Sequence, residues 1–307
     1  MMLRNGQKYE HRASAPVWRL REGRVCPPSR LGGLYVWGIV NITPDSFYDG
    51  GSHSTPESAL EHARLLHGQG ADVLDLGGAS SRPGAADVSA EEEIRRVLPV
   101  LSSLLREREA PPAAGGMRQG FPLISVDTWR AAVARAVLEA GADIINDISA
   151  FAWEPDMLEA VAAHRPGYVL MHCQGRPGTM QDAPAYANVT DEVLAFFEER
   201  MDALVRAGLP EEHILLDPGI GFGKRLEHNL ALLRGMERLF SLGRPVLLGI
   251  SQKSMFGDLL GLDRTERGEA TDIVTALMAA RGVAHHRVHD VASAVQALRL
   301  TDACRGV

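Results

Sequence analysis

Eight positions along this chain of 307 residues carry a polar side chain directly after a short apolar run: Asn41, Asp75, Asp127, Asn146, His172, Asp217, Ser251 with Lys253, and Arg287 with His289. The stretch His213–Lys224 (HILLDPGIGFGK) shows the pattern most plainly, with an apolar run meeting Asp217, a proline, and then a glycine at every second position. A run of that kind reads as a strand buried on both faces. A carboxylate at its end must find a basic partner or the N–H groups of a ligand, because an isolated buried charge is costly. Asp127, Asn146, Asp217 and Lys253 suit a flat heterocycle: a carboxylate accepts two parallel N–H bonds from a 2-amino-pyrimidinone edge, and a lysine donates to its carbonyl or imine nitrogen. Arg82, Arg287 and His289 are anion-seeking, and Asn41 is available to a metal. A heterocycle joined to a diphosphate fits this inventory. No nucleophile–base pair of the hydrolytic kind accompanies it, which points to group transfer from an activated substrate.

The elements that must position these groups alternate regularly from Leu34 onward. Strand-like runs at Tyr35–Val40, Val73–Leu76, Leu123–Val126, Ile144–Ile148, Tyr168–Met171, Ile214–Leu216, Val246–Ile250 and His286–Val288 are separated by helix-like stretches. Those stretches are Pro56–Gln69, Ser89–Arg108, Trp129–Ala140, Asp156–His164, Asn188–Ala207, Arg225–Leu242 and Glu269–Ala280, with Val291–Asp302 after the last strand. Several end in glycine, the common left-handed stop. Eight strand–helix units in about 270 residues predict a single-domain (β/α)8 TIM barrel, an α/β fold whose strand C-termini share one mouth. An open doubly wound sheet is the alternative. Residues 1–30 form an extension in which Val17–Leu20 and Arg24–Cys26 could make a hairpin capping the barrel's bottom; residues 31–307 form the barrel domain. The Pro/Gly/Ala-rich segment Glu107–Gly120 falls on the face away from the mouth.

Composition removes other classes. A formal net charge of -7 with no basic stripe argues against nucleic acid. Cys26, Cys173 and Cys304 lack metal or disulfide spacing and suit reduced thiols in a cytoplasmic protein. No secretory h-region and no membrane-length apolar run is present. His285, His286 and His289 are a weak metal cluster, because adjacent strand residues point to opposite faces. The Gly219–Gly223 spacing is no dinucleotide loop, since it follows the sixth strand and no ribose-binding acid comes after it.

Taken together, Asn41–Gly51 (NITPDSFYDGG), Asp75–Gly84 (DLGGASSRPG), Ser125–Thr128, Asn146–Ile148, Leu170–Gly175 (LMHCQG), Leu216–Lys224 (LDPGIGFGK), Ser251–Gly257 (SQKSMFG) and Arg287–Asp290 (RVHD) resemble the successive signatures of the dihydropteroate synthases, pterin-binding (β/α)8 barrels. The resemblance implies transfer of the pterin from 6-hydroxymethyl-7,8-dihydropterin diphosphate to p-aminobenzoate, releasing pyrophosphate with Mg²⁺ as cofactor. It implies that Asp127, Asn146, Asp217 and Lys253 hold the pterin, with Met171 and Phe222 lining its pocket, and that Asp127, Lys253 and Arg287 are catalytic. Asn41 would bind Mg²⁺ and diphosphate, while Arg287 and His289 would hold the leaving diphosphate. Phe47, Ser81, Arg82, Pro83 and Ser254 would shape the p-aminobenzoate site, with Asn41–Gly51 and Ala79–Gly84 closing over it. It further implies a homodimer, for which the helix around Thr271–Ala280 is a candidate contact.

The chain departs from the resembled pattern at four places, Cys173 being a milder change than the other three. Gln252 stands where an arginine is usual, Ala79 where a glutamate is usual, and Ser81 where a threonine is usual. The first removes a cation beside Lys253 and is expected to weaken substrate affinity. Alternatives to the synthase are a pterin-binding methyltransferase and a non-catalytic pterin-binding paralogue. The methyltransferase would not need Asn41's loop, Arg82 or the Arg287–His289 pair.

Overall fold

A computed structural model describes residues 17–43, 55–79, 88–110 and 120–305. Eight parallel strands make up its sheet: β1 (Tyr35–Asn41), β2 (Val73–Gly77), β3 (Leu123–Asp127), β4 (Ile144–Asp147), β5 (Gly167–Met171), β6 (Ile214–Asp217), β7 (Leu247–Leu248) and β8 (His285–Val288). The hydrogen-bonded order is β6-β5-β4-β3-β2-β1-β8-β7. A parallel bridge from Leu216 to Val246 joins the outer two strands and closes the barrel. This is the (β/α)8 arrangement that the alternating pattern predicts, and the open-sheet alternative falls away.

Nine helices surround it among the described residues: α1 (Pro56–Gln69), α2 (Ala90–Glu109), α3 (Ala131–Ala140), α4 (Met157–His164), α5 (Val189–Ala207), α6 (Leu226–Arg234), α7 (Ser254–Leu260), α8 (Gly268–Ala280) and α9 (Val291–Cys304). Their ends follow local chemistry. Ser89, Asn188 and Asp290 accept backbone N–H groups at the starts of α2, α5 and α9. Gly70, Gly141 and Gly208 end α1, α3 and α5 in the left-handed conformation. Two expectations need correction. The helix predicted over Arg225–Leu242 stops at Arg234, and a 3₁₀ turn continues from Met236 to Leu242, because Gly235 interrupts it. The strand predicted over Val246–Ile250 is continuous only at Leu247–Leu248, with Val246 in the isolated bridge to Leu216, and a short helix, α7, follows it that the periodicity does not predict. No helix among the described residues is long and apolar enough to cross a membrane.

Strand alternation sorts the barrel interior into layers. Trp37, Val73, Leu123, Ile144, Val169, Leu215 and Leu247 form the lowest, an apolar cluster that also takes in Trp18, Leu20 and Cys26. His285 completes it, stacked on Tyr35 with centroids 4.5 Å apart and edge-on to Trp37. Two residues further along each strand, register and alternation place Ile39, Asp75, Ser125, Asn146, Met171, Asp217 and Arg287. The barrel therefore turns from apolar to polar within one step towards its mouth. The intervening residues, such as Val40, Leu74, Val126 and Leu216, face outward into the core beneath the helices.

Candidate active site

The polar layer is organised around Asp75, which is wholly buried. Its Oδ2 accepts from Arg287 Nε at 2.6 Å and from Asn146 Nδ2 at 3.1 Å. Arg287 then reaches upward, Nη2 donating to Asp127 Oδ2 at 2.8 Å. One guanidinium thus spans two carboxylates, and its planar fork explains why an arginine is needed between them. Asp75 Oδ1, Asn146 Oδ1 and Ser125 Oγ are buried with no hydrogen-bond partner among the described residues. Buried acceptors of this kind are costly in a finished protein interior and are ordinarily met by water or ligand.

Asp217 answers the question its position poses. Its Oδ1 accepts the Gly219 N–H at 2.8 Å, and among the described residues no side-chain cation comes within ion-pair distance. Burial raises its pKa, while the Gly219 hydrogen bond and the more distant Lys253 and Arg287 work against that rise. A side chain at the neighbouring Gly249 would carry its Cβ to 3.8 Å from Asp217 Oδ2, so glycine there leaves the carboxylate open towards the mouth.

The Gly-rich loop after β6 holds Lys253. Gly219, Gly221 and Gly223 all have positive φ, which costs an L-residue about 1–2 kcal/mol each. A Cβ would lie 1.9 Å from His172 O at Gly219 and 2.3 Å from Gln174 O at Gly223. At Gly221 it would lie 3.1 Å from the Lys253 side chain, and Lys253 Nζ sits 3.9 Å above the Phe222 ring. Burial and Arg287 push the Lys253 ammonium down to about 8; Asp217 and Asp127 oppose the shift. Asp127 is raised by burial, with Arg287 pulling the other way.

Above the polar layer lies a cavity of about 490 Å³. Its wall includes Asn41, Asp127, Phe222, Lys253, Ser254, Arg287 and His289 from the sequence-derived set. Asn146, Met171 and Asp217 lie in the layer beneath rather than in the wall. Ser251 orients His289, its hydroxyl 2.9 Å from Nδ1. Phe47, Ser81, Arg82 and Pro83 lie outside the described residues, as do most of the two loops expected to close the site.

His172 does not join its fellow strand ends. It is buried edge-on to Phe196, and its Nδ1 meets Lys224 Nζ at 2.8 Å. Burial and that cation push the imidazole down to about 2, so it is a neutral acceptor. Lys224, itself pushed down to about 7 by burial, also donates to the carbonyls of His172, Gly219 and Phe222. It is a fastening of the Gly-rich loop, present in the quoted stretch but not recognisable there as buried. His285 and His286 both miss the mouth, the latter turning outward to Val283 O.

The wall also contains groups that sequence reasoning passed over: Thr43, Met180, Gln181, Arg264 and Arg267. Gln181 donates to Gly221 O at 2.6 Å, yet it sits in a stretch without periodicity that offered no signal. Arg264 and Arg267 lie in a charged segment between α7 and α8 that was assigned to no element.

Among known proteins, the sequence pattern of pterin binding enzymes matches residues 37–289. The dihydropteroate synthase of Escherichia coli K12 is 43% identical over 273 residues, covering 89% of this chain and 92% of that protein. The Synechocystis enzyme of the same name is 41% identical over 270 residues, covering 88% and 89%. The Yersinia pestis dihydropteroate synthase in a sulfonamide complex superposes with a TM-score of 0.83 at 39% identity, covering 94% of this chain and 98% of that one. The Xanthomonas albilineans enzyme with 4-aminobenzoic acid gives 0.82 at 41%, covering 96% and 100%. A barrel that gathers Asp127, Lys253 and Arg287 in the wall of one mouth, with Asn146 and Asp217 in the layer beneath, and whose relatives are this similar over nearly its whole length, belongs to the pterin-binding enzyme family and within it to the dihydropteroate synthases, transferases of a pterin group.

Proposed function

We propose that this chain joins 6-hydroxymethyl-7,8-dihydropterin diphosphate to p-aminobenzoate, releasing pyrophosphate. The observation that carries this reading is the set of unpartnered buried acceptors, Asp75 Oδ1, Asn146 Oδ1 and Ser125 Oγ, beside Asp217 and Lys253. A ring edge carrying N–H donors and a carbonyl acceptor would satisfy them, whereas an apolar ligand would leave them orphaned. A pterin fits because its amino-pyrimidinone edge presents both kinds of group. Phe222 and Met171 supply apolar surface for its faces. Asp127, held by Arg287, would accept a ring N–H, and Lys253 would donate to the ring.

The reaction then needs little acid–base chemistry. The C–O bond to the diphosphate breaks with its electron pair leaving on oxygen, and the electron-rich ring shares the positive charge left on the exocyclic carbon. The arylamine nitrogen, neutral near pH 7, forms the new C–N bond and afterwards loses a proton to solvent. Arg287 and His289 would stabilise the negative charge developing on the diphosphate. Among the described residues no cluster of three or more His, Cys, Asp or Glu could hold a metal alone. Asn41 on the cavity wall offers a protein oxygen that suits a Mg²⁺ bound mainly through substrate phosphates and water. Bound there, Mg²⁺ would supply charge neutralisation at the leaving group.

The test is purified protein with the dihydropterin diphosphate, p-aminobenzoate and Mg²⁺. Pyrophosphate release that requires the arylamine supports the reading. Pterin binding without such release would instead mark a non-catalytic paralogue.

A further inference from the structure

We propose that Lys224 is a positioning residue for the pterin ring: it holds the Gly-rich loop so that the Gly219 N–H meets Asp217 and the Phe222 ring lies under Lys253. The inference rests on the pterin-transfer reading above and adds to it a group that stands behind the cavity rather than in its wall.

Lys224 is buried, and its Nζ makes four contacts. They are His172 Nδ1 at 2.8 Å, Gly219 O and Phe222 O at 3.0 Å each, and His172 O at 3.3 Å. All four are neutral acceptors. A buried ammonium with no carboxylate among its partners is costly, and an apolar side chain would avoid that cost. What the charge gathers shows its use. Gly219 to Phe222 is a tight turn closed by its own bond, the Phe222 N–H donating to Gly219 O at 3.0 Å. Lys224 takes the carbonyls at both ends of this turn and ties them to His172, the residue after β5. The fit leaves no slack: a Cβ on Gly219 would lie 1.9 Å from His172 O and 3.4 Å from Lys224 Nζ.

Other side chains fasten the same loop elsewhere. Asn229 Oδ1 accepts the Gly221 N–H at 2.9 Å, Gln181 donates to Gly221 O, and Tyr186 donates to Gly223 O at 2.8 Å. These tethers hold the tip and the exit of the loop. The carbonyls of Gly219 and Phe222 are held by Lys224, and those two residues serve the pterin end. Gly219 donates its N–H to Asp217 Oδ1 at 2.8 Å, and Lys253 Nζ rests 3.9 Å above the Phe222 ring. Loss of the ammonium would loosen both contacts together, while Asn41 on β1 and Arg287 on β8 keep their places. Ring affinity is then lost apart from the other substrate contacts.

The experiment compares wild type with K224M, which keeps an unbranched stem without charge or donors, and K224Q, which keeps two neutral donors. All are measured below about pH 7, where Lys224 is protonated. Calorimetry reads the affinity for 6-hydroxymethyl-7,8-dihydropterin, which has the ring and no diphosphate; kinetics reads each KM with the other substrate saturating. K224M should bind the dihydropterin about tenfold more weakly, the scale of one lost charged hydrogen bond, with KM for the pterin diphosphate rising in step. The KM for p-aminobenzoate and kcat should stay within about twofold, and K224Q should recover part of the loss. A residue that merely stabilised the fold would lower Tm and leave the constants of the folded enzyme alone. Unchanged dihydropterin affinity in folded K224M, or equal rises in both KM values, would therefore overturn the proposal. Should K224M fail to fold, K224Q decides: weaker dihydropterin binding supports the role, and wild-type affinity overturns it. If wild type binds the dihydropterin but releases no pyrophosphate, the transfer reading fails, and the calorimetric comparison still decides Lys224. A wild type that binds no dihydropterin overturns both.

Discussion

At the scale of single residues, the site sets charge against burial. Lys253 keeps an ammonium in a wall where desolvation and Arg287 both disfavour it, and Asp217, Asp127 and, least, Cys173 favour it. Its proton is therefore lost near pH 8 rather than near the ordinary lysine value. The sign is fixed by linkage: between about 8 and 10.5 the unfolded chain holds this proton and the folded chain does not, so Lys253's contribution to stability rises with pH there. Ligand binding runs the opposite way, because a neutral amine donates more weakly to the pterin ring. Affinity for the pterin diphosphate should fall as pH rises through about 8, measured by calorimetry across pH 6.5–9.5. In K253R that limb should vanish, since a guanidinium stays charged throughout. A limb of the same position in K253R would assign the titration elsewhere.

At the scale of elements, the loop from Gly219 to Lys224 separates what a sequence displays from what it hides. Alternating glycines announce a tight turn, and all three do sit at positive φ. What each glycine avoids is set by neighbours distant in sequence. Gly219 and Gly223 avoid the backbone carbonyls of His172 and Gln174, which cannot yield without moving the β5–α5 connection. Gly221 avoids only the stem of Lys253, a side chain that can give way. G223A is thus expected to lower stability by several kcal/mol, through left-handed strain and backbone displacement. G221A should lose only the about 1–2 kcal/mol of left-handed strain, less than G223A, and lose pterin affinity besides, because it shifts Lys253. Thermal melts paired with calorimetry distinguish the two, and equal effects would contradict the geometry. The same contrast explains His172: as a polar strand end it is indistinguishable from Asp127 in sequence, yet it packs against Phe196 of α5 and meets Lys224, fifty-two positions away. The break at Gly235 was hidden because the apolar spacing of LEHNLALLRGMERLFSL continues through it. The seven residues of α7 are too few to show a period.

At the scale of the whole molecule, the eightfold alternation made the barrel legible, since burial on both faces writes each strand as a continuous apolar run and each helix as a stripe. Closure of the lower end was less legible, because it rests on a few residues. Trp18 stacks on Trp37 at 5.9 Å between centroids, and its Nε1 donates to His213 O at 2.8 Å. Leu20 lies beside it, and the two so crowd the start of β5 that a Cβ on Gly167 would fall 2.7 Å from Leu20 Cδ2 and 2.8 Å from Trp18 Cζ2. Arg244 secures the same segment by donating to Val17 O and Glu212 O. Residues 17–26 therefore act as a plug inserted from below, separated from the mouth by the apolar layer and then the polar one. Removing the indole should leave a cavity that this closely packed floor cannot fill, so W18A should cost about 3 kcal/mol of stability. The substrate constants should hold, because the plug packs on the apolar layer, which lies between it and the polar one. Denaturant titration with steady-state kinetics on the folded fraction provides the check. A KM that moved with stability would mean that the floor and the mouth are one mechanical unit, and that the apolar layer transmits strain instead of isolating the site from it.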